Sequence, residues 1–330
     1  MARANFFQAV LAAICLLGMR AYGDSGLANL SIRPDAQPKT IDFFADALYW
    51  YTSETVDWAF TRTIDGISLD SSYKTFSFDW APGFRLGAGY NMEHDNWDTQ
   101  ASYTWFQSKA SGETSGLVTS AFMAARLSLL EPFSTGKARL HVHYNMFDWT
   151  LGRSFFMSRS LIFRPSIGLR GGWINQKILS TWTIPDFIGS LPLIASETIK
   201  QSFQGGGPTA NAKAKWCFGA FRKHFFYLMS ELGAGYLWGH WEIRDKFFDS
   251  LNTSIYTKTS DRNFGSFLLR AHLGFGWDAN FDHERAHFEL RLGYEIEDWL
   301  NQFQIFSDAS GSQNNDLILQ GLHLGLRFDF

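Results

Sequence analysis

Apart from Leu268, residues 267–278 alternate apolar residues with charged residues, histidine or glycine. Phe267, Leu269, Ala271, Leu273, Phe275 and Trp277 fall on one side, and Arg270, His272, Gly274, Gly276 and Asp278 on the other. Three further stretches keep the same period. Trp97, Thr99, Ala101, Tyr103 and Trp105 oppose Asp98, Gln100, Ser102 and Thr104. Ala212, Ala214, Trp216, Phe218 and Ala220 oppose Asn211, Lys213, Lys215, Cys217 and Gly219. Phe288, Leu290, Leu292, Tyr294 and Ile296 oppose Glu289, Arg291, Gly293, Glu295 and Glu297. Successive side chains of a β-strand point to opposite faces, whereas a 3.6-residue helical period would scatter these charges around the circumference. The chain is thus built from strands with one ring-rich apolar face and one charged face.

A soluble sandwich and a membrane barrel both use such strands, and the connections separate them. Ten strands are expected, at about 41–51, 76–91, 96–107, 138–151, 158–176, 210–221, 225–241, 264–279, 286–298 and 316–330. The links around Met92–Asp95, Gly152–Met157, Arg222–His224 and Asn280–Arg285 are short, while those at 52–75, 108–137, 177–209, 242–263 and 299–315 are long. Strict short–long alternation is the habit of transmembrane barrels, with tight periplasmic turns and extended outer loops. Composition agrees: 13 Trp, 11 Tyr and 32 Phe combine with a mean hydropathy of only −0.15, the profile of strands that show one face to lipid and one to water. The expected fold is an all-β, antiparallel, up-and-down transmembrane barrel of about ten strands, within a range of eight to fourteen. Residues 177–183 or 253–258 could add a hairpin. One strand resists the pattern: if Leu140, Val142, Tyr144 and Met146 face lipid, Asp148 follows them, so a β-bulge near Asn145–Phe147 is expected to reset the faces.

The two ends carry signals of their own. Residues 1–23 place Arg3 before an apolar run from Phe6 to Met19 and a small-x-small site ending at Gly23, which is the pattern of a cleaved export signal. The run is too short to stay as a membrane helix. Cleavage after Gly23 would remove Cys15 and leave Cys217 as the single thiol, so no internal disulfide is expected. Residues 24–40 then form a periplasmic segment and 41–330 the barrel. At the other end Leu322, Leu324, Leu326, Phe328 and Phe330 make an apolar stripe terminating in an aromatic ring. That stripe resembles the terminal signal read as an added strand during outer-membrane assembly, which implies barrel-assembly machinery and periplasmic chaperones as partners.

Short motifs in order along the chain point to one family. They are Asp46-Ala47-Leu48-Tyr49-Trp50, Phe78-Asp79-Trp80-Ala81-Pro82-Gly83-Phe84-Arg85-Leu86-Gly87, His94-Asp95-Asn96-Trp97-Asp98 with Tyr103-Thr104-Trp105-Phe106, and Asp148-Trp149-Thr150-Leu151-Gly152-Arg153. Arg164-Pro165-Ser166-Ile167-Gly168-Leu169-Arg170-Gly171 and Gln320-Gly321-Leu322 complete the set. Together they resemble the Legionella major-outer-membrane-protein-like group, found also in chlamydia-like bacteria. The resemblance implies a pore in a Gram-negative-type outer membrane. The chlamydial major porins are cross-linked through many cysteines, a network Cys217 alone cannot build.

A pore needs a polar lumen, and the inward set expected from the alternation is Arg85, Asp98, Arg164, Arg170, Lys213, Lys215, Glu231, Arg270, Glu289, Arg291 and Glu295. Opposed charges can select permeants by their field or pair across a narrow lumen and close it, because about eight strands leave an interior just filled by side chains. The expected activity is passive diffusion of ions and small solutes. Its rivals are a closed barrel displaying long loops as an adhesin or structural protein, and a barrel hydrolase. For the last, His94-Asp95 and His283-Glu284 fall in periplasmic turns, the wrong end for an outer-rim catalytic pair. No catalytic residue, cofactor or metal is expected. His141-x-His143 reads as a lumen-facing polar pair, Gly205-Gly206-Gly207-Pro208 as a flexible outer loop, and Trp50-Tyr51 with Trp238-Gly239-His240-Trp241 as interface girdles. With a net charge of −3 and no basic tract, nucleic acid is excluded as a partner. Membrane lipid and a homo-oligomer stay among the partners such a barrel admits.

Overall fold

The computed structural model describes residues 40–330 except 66–67, 93–94, 129, 189–190, 222–223, 282–285 and 308–310. The export signal, its cleavage site at Gly23, the 24–39 segment, and His94, His283 and Glu284 lie outside the described residues. In chain order the strands are β1 (Thr40–Ser53), a hairpin of β2 (Asp57–Asp65) and β3 (Ser68–Thr75), the two-residue β4 (Ser77–Phe78), β5 (Trp80–Asn91) and β6 (Trp97–Ser120). A single helical turn, α1 (Met123–Leu127), precedes β7 (Phe133–Arg153), the two-residue β8 (Phe155–Phe156), β9 (Leu161–Ile188) and β10 (Leu191–Phe221). The chain ends with β11 (His224–Asp249), β12 (Ser254–Phe281), β13 (Ala286–Ser307) and β14 (Gly311–Asp329).

Ten of these close the barrel. The path runs β1–β5–β6–β7–β9–β10–β11–β12–β13–β14, antiparallel at every step, and β14 returns to β1 from Asp42↔Asp329 to Ser53↔Ile318. Every barrel strand is thereby paired on both sides, so no open edge is left in the hydrocarbon, where unpaired N–H and C=O groups could find no water. β2 and β3 lean on the far end of β6 through Ala59↔Ser120 to Arg62↔Leu117.

Within the membrane the expected faces hold. Phe84, Leu86, Trp149, Ile167, Leu169, Phe275 and Leu292 point outward and are exposed, as is the terminal stripe of Leu322, Leu324, Leu326, Phe328 and Phe330. Aromatics bracket this band, with Trp97, Phe163 and Phe226 near the periplasmic rim and Tyr49, Trp80, Trp173 and Trp238 at the outer one. The long connections differ from expectation. β10 alone runs 31 residues, and roughly 10 suffice to cross a bilayer. Most of the expected loops, including 177–183 and all of 253–258 but Thr253, are the same strands continuing outward; among the described residues no extra membrane hairpin is added.

Along that continuation the polarity inverts. Leu140, Val142, Tyr144 and Met146 face the interior and are fully buried, while His141 and His143 face out. The register of β7 with β6 and β9 passes through Asn145–Phe147 without a shift, so the expected bulge is absent. Asp148 lies inside, and Phe147 and Trp149 lie on lipid. A bulge is needed only on the premise that every apolar face meets lipid; above the girdle the apolar face meets the interior. His141 and His143 are accordingly outside the lumen. Likewise Trp50 and Trp241 are interior and fully buried, leaving Trp238 and Tyr49 to the girdle. Gly205–Gly207 sit in mid-strand: a Cβ on Gly205 or Gly239 would lie within 2.4 Å of the Phe203 ring, so these glycines make room for a ring lying flat on the inner wall.

Candidate functional site: a charged vestibule beneath a dry cap

The inward charges of the membrane-spanning half line one cavity of about 1190 Å³ at the periplasmic end. Ten of the eleven expected lumen residues border it: Arg85, Asp98, Arg164, Lys213, Lys215, Glu231, Arg270, Glu289, Arg291 and Glu295. Alternate positions on adjacent strands put them there, since every second side chain of a barrel strand points inward. The set read from the sequence omits Asp46, Asp148, Asp278, Glu297, Arg327 and Asp329, whose carboxylates and guanidinium complete the wall. The period-two rule suffices to find Arg327 and Asp329, which alternate with the terminal Leu and Phe stripe.

The charges are organised as pairs. Arg85 bridges Asp46 at 3.3 Å and Glu295 at 3.2 Å, and its Nε donates to Thr104 at 3.1 Å. Arg291 reaches the other Asp46 oxygen at 3.0 Å. Arg164 holds Asp98 with two parallel N–H donors, one at 2.7 Å. Lys215 pairs with Asp278 and lies 3.7 Å from Glu289. Arg327 joins Asp42 at 3.2 Å and Asp329 at 2.8 Å. Arg270 donates to Asn211 at 2.8 Å and approaches Glu231 and Glu297, each at 3.7 Å. Bidentate guanidinium–carboxylate geometry fixes Arg85 on Glu295 and Arg164 on Asp98. Lys213 has no carboxylate within ion-pair distance among the described residues. His272 and His323 share a ring-to-ring hydrogen bond of 3.1 Å, and His287 contacts Asp329 at 3.0 Å.

Arg170 stands apart from the set. It is fully buried at the ceiling of the vestibule, 3.0 Å from Glu297, 3.6 Å from Asp148 and hydrogen-bonded to Tyr144, with its guanidinium 5.4 Å from the Trp299 ring centre. Trp50 donates to Glu295 at 3.2 Å from the same level. Above this layer the lumen is filled. Phe203 and Trp241 lie 4.2 Å apart, Trp241 stacks on Phe264 at 4.0 Å, and Leu237, Leu268, Trp299, Phe303 and Leu319 close around them. Higher still, Trp182 stacks on Phe133 at 5.5 Å and packs at a tilt against Trp58 at 5.7 Å.

The segment after β6 folds in over these rings as a cap. Phe122, Ala124 and Ala125 are fully buried, and α1 is anchored by its backbone: the Ala124 N–H donates to Asp245 and the Ala125 N–H to Glu197, both at 2.9 Å. Glu197 also accepts from Ser120 at 3.0 Å and Trp182 at 3.2 Å, while Glu131 accepts the Ser120 N–H at 2.7 Å and pairs with Arg126 at 3.2 Å. Burial raises these carboxyls: Glu197 lies well above the usual range, Asp245 at about 6 and Glu131 at about 7. Burial likewise lifts Glu54 to about 8, against the hydrogen bond from Gln176. Among the described residues, no group of three or more His, Cys, Asp or Glu is arranged to hold a metal ion.

A closed ten-stranded antiparallel barrel with an aromatic-bordered apolar belt and a charged interior is an outer-membrane β-barrel protein, resident in a bacterial outer membrane. The sequence matches, over residues 34–330, the family described as the Legionella pneumophila major outer membrane protein precursor, and the chain belongs to that family. No curated protein matches it in sequence. Among solved structures it is similar to the outer membrane protease OmpT of Escherichia coli, at 12% identity and a TM-score of 0.41, with 91% of this chain and 98% of that one covered. A major outer membrane protein of Thermus thermophilus aligns at 8% identity and a TM-score of 0.33, covering 89% and 100%. The attachment invasion locus protein Ail of Yersinia pestis aligns at 13% and 0.23, covering 88% and 98%.

Proposed function

We propose that the protein is a gated pore of the outer membrane, passing ions and small solutes when the cap and the aromatic layer beneath it are displaced, and closed otherwise. The observation that carries this reading is the vestibule: about 1190 Å³ of charge-lined space facing the periplasm. A barrel serving only as a scaffold would gain more stability from an apolar filling there, because buried ion pairs seldom outperform packed hydrophobic side chains. No residue acts covalently and the protein is not an enzyme; the lumen charges set selectivity, with Arg164, Arg270 and Arg291 in the vestibule and Arg170 at its ceiling. The terminal stripe from Leu322 to Phe330 serves as the assembly signal, read by barrel-assembly machinery after delivery by periplasmic chaperones.

The dry outer half favours a second reading, a permanently closed structural or surface-displaying barrel. Planar-bilayer recording distinguishes the two. The gated pore gives brief openings in the full chain and frequent or sustained ones when residues 121–132 are replaced by a short Gly/Ser link. Silence in both proteins, each folded and heat-modifiable, would leave the closed barrel standing.

A further inference from the structure

A row of cations crosses the outer surface just above the girdle. Lys109 on β6 faces His141 on β7, which faces Lys177 on β9; Lys177 faces Lys200 on β10, Lys200 faces Arg244 on β11, and Arg244 faces Lys258 on β12. Six strands thus contribute one basic side chain each at the same register position, all on the outward face. Like charges set directly opposite one another on neighbouring strands are destabilising, and strand spacing of about 4.8 Å gives them little room to avoid each other. Only the β11–β12 end is neutralised from within, where Glu242 reaches Arg244 at 2.7 Å and Lys258 at 3.0 Å. Lys109, Lys177 and Lys200 have no acidic partner among the described residues. His141 is held toward its neutral form, first by partial burial and then by Lys109, His143, Lys177 and Arg139 around it.

The place of this row says what complements it. Four residues toward the membrane on the same strands lies the row Trp105, Asn145, Trp173 and Gln204. Girdle aromatics sit at the headgroup boundary, and four residues of tilted strand place the cations roughly 10 Å farther out. Phosphates of an ordinary phospholipid lie at the girdle; a phosphate carried on a sugar headgroup reaches beyond it. A surface groove of about 720 Å³ joins the two rows, walled by Trp173, His143, Lys177 and Lys200. Below it Phe147, Trp149, Ile167 and Leu169 form an exposed apolar wall suited to acyl chains.

We infer that the face formed by β6, β7, β9 and β10 binds a phosphorylated glycolipid of the outer leaflet, with Lys109, Lys177 and Lys200 on its phosphates. The ligand supplies the counter-charge that the barrel lacks and ties the extended strands to the surrounding leaflet. Each lysine contributes about fivefold in affinity, as cations near an anionic lipid surface do.

Native mass spectrometry of the full protein, delipidated in zwitterionic detergent and titrated with a diphosphorylated diglucosamine lipid, tests this. The wild type should bind it at least tenfold more tightly than the dephosphorylated lipid. K109Q/K177Q/K200Q should lose affinity on the order of a hundredfold, K177Q alone about fivefold, and E242Q should gain a few-fold. Heat-modifiable migration checks that each variant is folded; if the triple variant fails that check, K177Q decides. Equal binding of the dephosphorylated lipid, unchanged affinity in the lysine variants, or equal binding of the acyl-free phosphosugar would each overturn the assignment.

Discussion

Below the outer girdle the barrel is wet inside and apolar outside; above it the same strands are dry inside and polar outside. β7 shows both regimes within one run of residues: Asp148 points into the vestibule while Phe147 and Trp149 meet lipid, and eight residues or fewer away Leu140 and Val142 are buried inside while His141 meets water. Period-two alternation is the same in both halves; what changes is the medium outside. Lipid demands apolar side chains on the outer face and leaves the interior free to carry charge. Water outside removes that demand, and the hydrophobic effect then drives the apolar face inward. One strand therefore serves as a membrane stave and as the wall of a globular core.

The sharpest break in this comparison is expected from removing an interior ring. Trp241→Ala or Trp299→Ala should cost about 3–5 kcal/mol, as for other buried Trp truncations, whereas Trp238→Ala on the girdle should cost about 1 kcal/mol or less. Urea unfolding of the folded barrel followed by heat-modifiable migration measures the difference. Equal losses would mean that the outer half is not a packed core.

Arg170 and Lys213 offer the next contrast. Arg170→Met leaves the buried Glu297 and Asp148 with only the more distant Arg270, at 3.7 and 3.9 Å, and should cost about 3–5 kcal/mol. Lys213→Met removes a cation with no ion pair and should change stability by about 0.5 kcal/mol or less. The same unfolding assay separates them.

The cap gives a pH test. Glu197, Asp245 and Glu131 have raised pKa values in the closed state, Asp245 at about 6 and Glu131 at about 7. A carboxyl raised in this way favours the closed cap fully below its unperturbed value and loses that contribution as pH rises through the raised one. Amide exchange of residues 120–128, corrected for intrinsic rates, should show stronger protection at pH 5 than at pH 8.5. Protection that rises with pH would reverse the sign. The smallest effect is expected at Lys213, which lines the vestibule without an ion pair: Lys213→Gln should leave stability nearly unchanged and shift the reversal potential of any open state toward cation preference.

Much of this is legible in the sequence. The strand positions, the inward set from Arg85 to Glu295, and the lipid-facing terminal stripe all follow from alternation. The outer half is not, for one physical reason: periodicity identifies two faces but does not say which medium each face meets. Alternation alone therefore puts His141 and His143 in the lumen and Trp50 and Trp241 in the girdle, and it reads loop where strand continues from 177 to 188 and from 191 to 209. The cap is beyond its reach, because α1 is a single turn whose position depends on Glu197 and Asp245, about 70 and 120 residues away.

Thiol labelling tests the wet-inside, dry-inside division most directly. In a Cys217→Ser background, Ser102→Cys places a probe in the vestibule and Val142→Cys places one in the outer core. A charged, membrane-impermeant thiol reagent added to vesicles with the periplasmic end exposed should label Ser102→Cys rapidly and leave Val142→Cys unreacted from either side. Rapid labelling of Val142→Cys would mean that water runs the length of the lumen, and the closed outer half would be wrong.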